Sequence, residues 1–92
     1  KYATIAQNEQ QISEKFIRVF KDGFVSMDRA QNILVIRTLT GMAMAVAAAM
    51  DAFRYPEIVG TIAGDDTLFC AIRSEDETIK LIEKLNRILN SQ

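Results

Sequence analysis

Apolar positions recur at helical spacing at Ile12, Phe16, Val19 and Phe20, which predicts a first helix from Asn8 to Asp22. Asn8 suits the N-cap with Gln11 three residues on, and Gly23 suits a left-handed residue closing the helix. Two strand-like segments follow, Phe24 to Asp28 and the β-branched run Asn32 to Thr38, with Arg29-Ala30-Gln31 turning between them. Gly41 to Phe53 reads as a second helix, closed by Arg54-Tyr55-Pro56 because proline disfavours helical geometry in the residue before it. Ile58 to Ala63 and Leu68 to Ile72 predict a second hairpin through Gly64-Asp65-Asp66. Ser74 and Glu77 then form a capping box, so the last helix starts at about Glu75. Its core face is Ile79, Ile82, Leu85, Ile88 and Leu89, with Lys80, Glu83, Lys84 and Arg87 as the solvated face. Helix, hairpin, helix, hairpin, helix predicts an α+β fold: one four-stranded antiparallel sheet backed by helices in two layers.

Two features do not follow from this pattern. From Met42 to Met50 the second helix has no polar side chain on any face, although a helix lying on a sheet in a two-layer domain needs only one apolar side. Its outer side is expected to meet another subunit; the alternative is that a strip of alanines faces water harmlessly. The other feature is the hairpin turn, where Asp65 and Asp66 are adjacent. Turns use aspartate for backbone hydrogen bonding, which accounts for one acid, while two neighbouring like charges repel and together suit a cation or guanidinium.

The 92 residues make one small domain, with residues 1–7 as a linker end and 8–92 as the folded part, and self-association would add burial that so short a chain lacks. The chain begins with Lys1 rather than Met, as expected of a piece of a longer protein. Eleven basic against 12 acidic residues give a net charge of -1 without a basic stripe, which argues against nucleic-acid binding by this segment. No histidine and one cysteine remove imidazole acid/base chemistry, Cys/His metal sites and an internal disulfide, and they fit a reducing, cytoplasmic setting. The longest uncharged run, Thr38 to Met50, is too short to span a bilayer, so a soluble domain is expected. No nucleophile has a recognisable base beside it, so no catalytic residues are assigned and the chain is read as a non-enzyme. Cys70 lies in line with Leu68 and Ile72 as a small core residue; Phe53 and Tyr55 read as packing residues, either of which could line a ligand pocket, and Met27 and Met50 as core or interface fillers.

Gly60 to Phe69, with its paired aspartates, and Ile36-Arg37-Thr38 followed by Gly41 and Ala43 resemble the carboxy-terminal domain of the bacterial arginine repressors. The resemblance covers roughly residues 8 to 90. It implies β-β-α-β-β-α topology after a leading helix, a trimer, and two trimers stacked as a hexamer that binds L-arginine at their junction, with no metal. It also implies a winged helix-turn-helix domain ahead of Lys1 that holds operator DNA. Carried over by position, Asp65 and Asp66 would be the principal arginine contacts, Asp51 would meet the α-amino group, and Thr61 and Ala63 would add backbone contacts beside Gly64. A guanidinium suits such acids because its planar fork pairs bidentately with carboxylates.

The chain departs from the family where Pro-Gly-x-Ala is usually followed by Gln or His and here reads Thr40-Gly41-Met42-Ala43-Met44. Met44 offers only a weak acceptor to the backbone end of the ligand. The expected function is the ligand-sensing and oligomerisation domain of an arginine-dependent transcriptional regulator; the alternative is a structural oligomerisation domain that has lost arginine response.

Overall fold

The computed structural model describes residues 14–91, so the predicted linker, the cap at Asn8 and Gln11, and Ile12 lie outside the described residues. Helix α1 (residues 14–23) runs directly into strand β1 (Phe24–Ala30), which turns into β2 (Ile33–Thr38). Helix α2 (Ala43–Phe53), β3 (Ile58–Ala63), β4 (Thr67–Ile72) and α3 (Glu75–Asn90) complete the β-β-α-β-β-α order. The two hairpins join through β2 and β4 into one antiparallel sheet of order β1-β2-β4-β3. This is the α+β arrangement that the sequence pattern predicts.

Alternation along the strands decides which face the helices cover. Leu34 pairs with Cys70 and Ile36 with Leu68, and all four are fully buried, so one side of the sheet faces the core. Phe20 of α1, Ala43, Val46, Ala49 and Met50 of α2, and Leu81 and Leu85 of α3 complete that core. Aromatic contacts tie the helices together, since Phe20 meets Phe24 at 5.6 Å and Phe53 edge-on at 5.9 Å, and Phe53 meets Tyr55 at 5.8 Å. Lys84 of α3 then lies over the Tyr55 ring at 5.1 Å.

The opposite face is uncovered. Val35, Phe69 and Ile62 stand in register across β2, β4 and β3, and Phe69 and Ile62 are 55% and 80% exposed. Antiparallel sheets with one wet face normally alternate apolar with polar residues; here Asp28, Arg37 and Thr67 keep that pattern, but the row Val35, Phe69 and Ile62 breaks it.

Several expectations are corrected. Gly23 does not adopt a left-handed conformation; it ends α1 where a Cβ would fall 2.7 Å from Val46 Cγ2, so close packing of α2 is what requires glycine there. The first hairpin turns at Gln31-Asn32, with Gln31 at φ 58°, because β1 stays paired through Ala30↔Ile33. Gly41 stands outside α2 at φ 80°, and Arg54 at φ 58°, ψ 48° is the left-handed residue that ends the helix. In α3 the buried positions are Thr78, Leu81 and Leu85, whereas Ile79 is 41% exposed. The apolar stripe of α3 is wider than the core it meets; Thr78 can occupy its centre because its hydroxyl donates to the Ser74 carbonyl at 2.7 Å. The Ser74 cap forms as predicted from the Glu77 amide at 3.1 Å, but the Glu77 carboxylate meets the Ser74 hydroxyl instead of its amide.

Lys84 is not simply a solvated side chain. Its ammonium donates to Glu57 Oε2 at 2.7 Å, and the Glu57 side chain keeps only 8% of its exposure. Burial pushes the Glu57 carboxyl up, but the Lys84 hydrogen bond, a bond from its own backbone amide and the Lys84 charge together hold it below the ordinary carboxylate range. The loop before β3 is thereby clamped to α3, helped by Arg73, whose side chain donates to the Pro56 carbonyl and whose amide donates to that of Glu57.

Lys84→Met should lower stability by about 1 to 2 kcal/mol at neutral pH, less than for a fully buried pair because the Lys84 end is partly solvated. Because the folded-state value is depressed, this contribution is complete above the unfolded carboxyl pKa of about 4.3 and is lost as pH falls through the folded value. Thermal melts from pH 7 to 3 should therefore converge for the two proteins at the acid end.

Gly23→Ala should destabilise, since overpacking costs about 1 to 3 kcal/mol against a helix-propensity gain of at most about 1. Val46→Ala makes room for the new methyl, so in a urea double-mutant cycle the two changes should cost less together than their sum.

Candidate ligand-binding site

The loop Gly64–Asp66 is built from backbone hydrogen bonds. Gly64 N donates to the Thr67 carbonyl at 2.8 Å and closes the β3–β4 hairpin. The Asp66 carbonyl accepts from Thr38 N at 2.7 Å and the Asp65 carbonyl from Ala43 N at 3.1 Å, which fastens the loop to the end of β2 and the start of α2. Helix α2 needs that acceptor: Met42 at its N-cap makes no side-chain capping bond, and no acid lies in the first turn. The left-handed Gly41 lets Met42 N reach back to the Leu39 carbonyl at 3.0 Å, so the strand-to-helix junction folds tightly beneath the loop. The positive end of the α2 dipole therefore lies beside the Asp pair and eases the repulsion between its charges.

Both aspartates thus have a structural role through their carbonyls, and their carboxylates are left over. Asp65 is exposed and Asp66 half-buried. Among the described residues the ion pairs are Arg29–Glu75 and Lys84–Glu57, and neither touches Asp51, Asp65 or Asp66. The Asp66 carboxylate does accept a hydrogen bond, from Thr67 Oγ1 to Oδ1 at 3.0 Å. A charged loop held open in this way can take a cation whose donors lie in a plane.

The remaining sequence-predicted residues divide between two places. Met44, 72% exposed, follows Ala43 in the first turn of α2 and therefore stands next to the Asp loop. Gly64 is in the loop, and Ala63 at the end of β3 pairs with Leu68. Asp51 is two turns further along α2, about 10 Å away by helix rise. There it lines a shallow hollow of about 200 Å³ with Arg54, Tyr55, Ile58, Val59 and Gly60. Thr61 pairs across the sheet with Cys70, its hydroxyl buried without a hydrogen bond of good geometry. Burial raises the Cys70 thiol pKa, the Thr61 hydroxyl draws it partly down, and Asp51 pushes it up again. Cys70 is a free, buried core residue. Among the described residues no three acids, cysteines or histidines group closely enough to hold a metal ion, and helix rise sets Asp51 apart from the Asp pair within one protomer.

A larger groove, about 540 Å³, lies between α1 and the end of α3 and is lined by Glu14, Arg18, Lys21 and Asp22 among others. Its charges have mixed sign and it contains none of the predicted residues, so it does not compete with the Asp loop as a cation site. Sequence reasoning missed Thr67, which the apolar run placed outside the strand, and the wall residues Arg54 and Gly60. The signal for Thr67 was present: a hydroxyl-bearing, β-branched residue directly follows the acids.

On comparison with known proteins, the family model described as "Arginine repressor, C-terminal domain" matches residues 20–87. The chain is similar to the arginine repressor of Lachnoclostridium phytofermentans, 56% identical over 90 residues, covering 98% of this chain and 59% of that protein. It is 52% identical over 91 residues to that of Lachnospira eligens, covering 99% and 60%. That of Alkaliphilus oremlandii is 46% identical over 89 residues, covering 97% and 60%. The chain thus spans about three fifths of the length of these relatives. With the fold, the paired aspartates and the strand-to-helix junction all in place, the chain belongs to the family of arginine repressor C-terminal domains.

Proposed function

We propose that this chain is the ligand-sensing and oligomerisation domain of an arginine-dependent transcriptional regulator of arginine metabolism, binding L-arginine at a junction between trimers. The observation that carries this reading is the Asp65–Asp66 loop, whose carbonyls are consumed by the fold while its carboxylates have no cationic partner among the described residues. The guanidinium end of arginine pairs with these acids. Asp51 takes the α-amino group, Thr61 and Ala63 contribute backbone contacts, and Gly64 lets the ligand approach the loop.

Two uncovered surfaces support assembly. One is the outward stripe of α2, where Met44, Ala48 and Asp51 follow one another at i, i+4 and i+7 and are all exposed. The other is the open face of the sheet around Phe69 and Ile62. A dimer of trimers needs two kinds of contact, and these faces offer two. Asp51 and the Asp pair then belong to different walls of a ligand site that assembly completes. Arginine that binds only the assembled form stabilises it by about 2.7 kcal/mol per site at a concentration one hundred times Kd. In the whole protein, a winged helix-turn-helix domain ahead of Lys1 holds operator DNA, and the arginine-driven assembly sets its affinity.

The second reading, an oligomerisation domain without arginine response, is favoured by one feature. Met44 is 72% exposed, and at the position that the family resemblance assigns to the ligand's backbone end its thioether offers little hydrogen bonding. The guanidinium end does not depend on it.

Asp65→Ala and Asp66→Ala should each weaken arginine binding at least about tenfold in calorimetry, the worth of a charge-assisted hydrogen bond, with circular dichroism unchanged. Light scattering at low and saturating arginine should show the mass of the wild-type chain rising from trimer toward hexamer. A mass indifferent to arginine would decide for the second reading.

A further inference from the structure

The Asp66 side chain is aimed by its neighbour. Thr67 opens β4, and its hydroxyl donates to Asp66 Oδ1 at 3.0 Å in partly buried surroundings. The backbone around the pair is fixed on both sides: the Asp66 carbonyl is held by Thr38 N at 2.7 Å and the Thr67 carbonyl by Gly64 N at 2.8 Å. Thr67 is also paired with Arg37 of β2, so its Cα cannot drift. With the main chain set, the remaining freedom is the rotation of the Asp66 carboxylate, and the hydroxyl hydrogen bond restrains it.

We propose that Thr67 is a positioning residue for guanidinium recognition, orienting the Asp66 carboxylate without neutralising it. The inference rests on the arginine-binding reading above. A lysine or arginine could also hold the carboxylate still, but it would consume the charge the ligand requires. A hydroxyl gives up one hydrogen bond and leaves the full negative charge, with Oδ2 free of any side-chain donor among the described residues. Threonine suits the task better than serine because its β-branch restricts χ1 and keeps the hydroxyl pointed one way. Asp65 has no such partner among the described residues, so the two adjacent acids are not equivalent. Asp66 is preset, and Asp65 adjusts as the ligand arrives. Preorganising one acid lowers the ordering cost of binding, which makes Thr67 a determinant of affinity although it does not touch the ligand.

The test compares Thr67→Val and Thr67→Ser with the wild type in calorimetry against arginine and citrulline, whose neutral ureido group gains less from an aligned carboxylate. Thr67→Val should bind arginine about tenfold more weakly, with its preference for arginine over citrulline reduced, and Thr67→Ser should return to within about threefold of wild type. Equal arginine affinity in wild type and Thr67→Val, or equal losses in the Val and Ser variants, would overturn the proposal. Side-chain scalar couplings of Asp66 in the ligand-free wild type need no variant to fold: a single χ1 rotamer supports the proposal, and averaging over several overturns it. If wild-type protein does not bind arginine, the site reading fails and takes this inference with it. If wild type binds and Asp66→Ala does not, while Thr67→Val binds as wild type, only the role of Thr67 is lost.

Discussion

The hydrogen bond from Ala43 N to the Asp65 carbonyl ties the start of α2 to the β3–β4 loop, and the geometry of the candidate site depends on it. A helix that begins without a capping side chain must find acceptors for its first amides elsewhere. Here Ala43 N finds one in a hairpin loop more than twenty residues downstream. The loop gains a fixed shape and the partial positive charge of a helix end beside its acids. The helix gains a start point that its own sequence does not provide. Because these bonds use main-chain oxygens, they leave the aspartate carboxylates free for other chemistry.

Burial is strongly one-sided. The sheet face toward the helices is filled by Leu34, Ile36, Leu68, Cys70 and Ile72, and Gly23 brings the end of α1 within contact of Val46. The other sheet face and the outer stripe of α2 present apolar surface to solvent. A domain of this size has little core to spare, and surfaces of this kind are stabilised when covered. The proposed self-association would cover both surfaces and add the burial that so short a chain lacks. The Asp loop lies at the start of α2, where its outer stripe begins, so under the proposed function assembly and ligand binding would share a common free energy.

The clamp between Glu57 and Lys84 serves a different end. It fastens the segment that follows α2 to the face of α3, and the aromatic series from Phe24 to Tyr55 connects it back to α1. The hollow beside Asp51 is thus framed by a segment anchored by side chains as well as by its main chain, while the Asp loop at the other end of α2 is anchored through its main chain alone. The two ends of one helix carry the two parts of the candidate site by independent means.

The order of elements, the sheet, the cap at Ser74 and the strand Ile58–Ala63 were legible in the residues, since local periodicity and turn chemistry depend on near neighbours in the chain. The Asp pair stood out for the same reason, as adjacent like charges on a turn. What local pattern could not reach was any property set by a partner distant in sequence. Gly23 is glycine because Val46 lies against it, Lys84 is held because Glu57 is buried beside it, and Ile79 is exposed because the core is narrower than the apolar stripe of α3. The separation of Asp51 from Asp65 and Asp66 belongs to the same class. Chain order names those acids, but only packing places them at opposite ends of a helix, because distance between side chains is fixed by tertiary contacts and leaves no periodic trace along the chain.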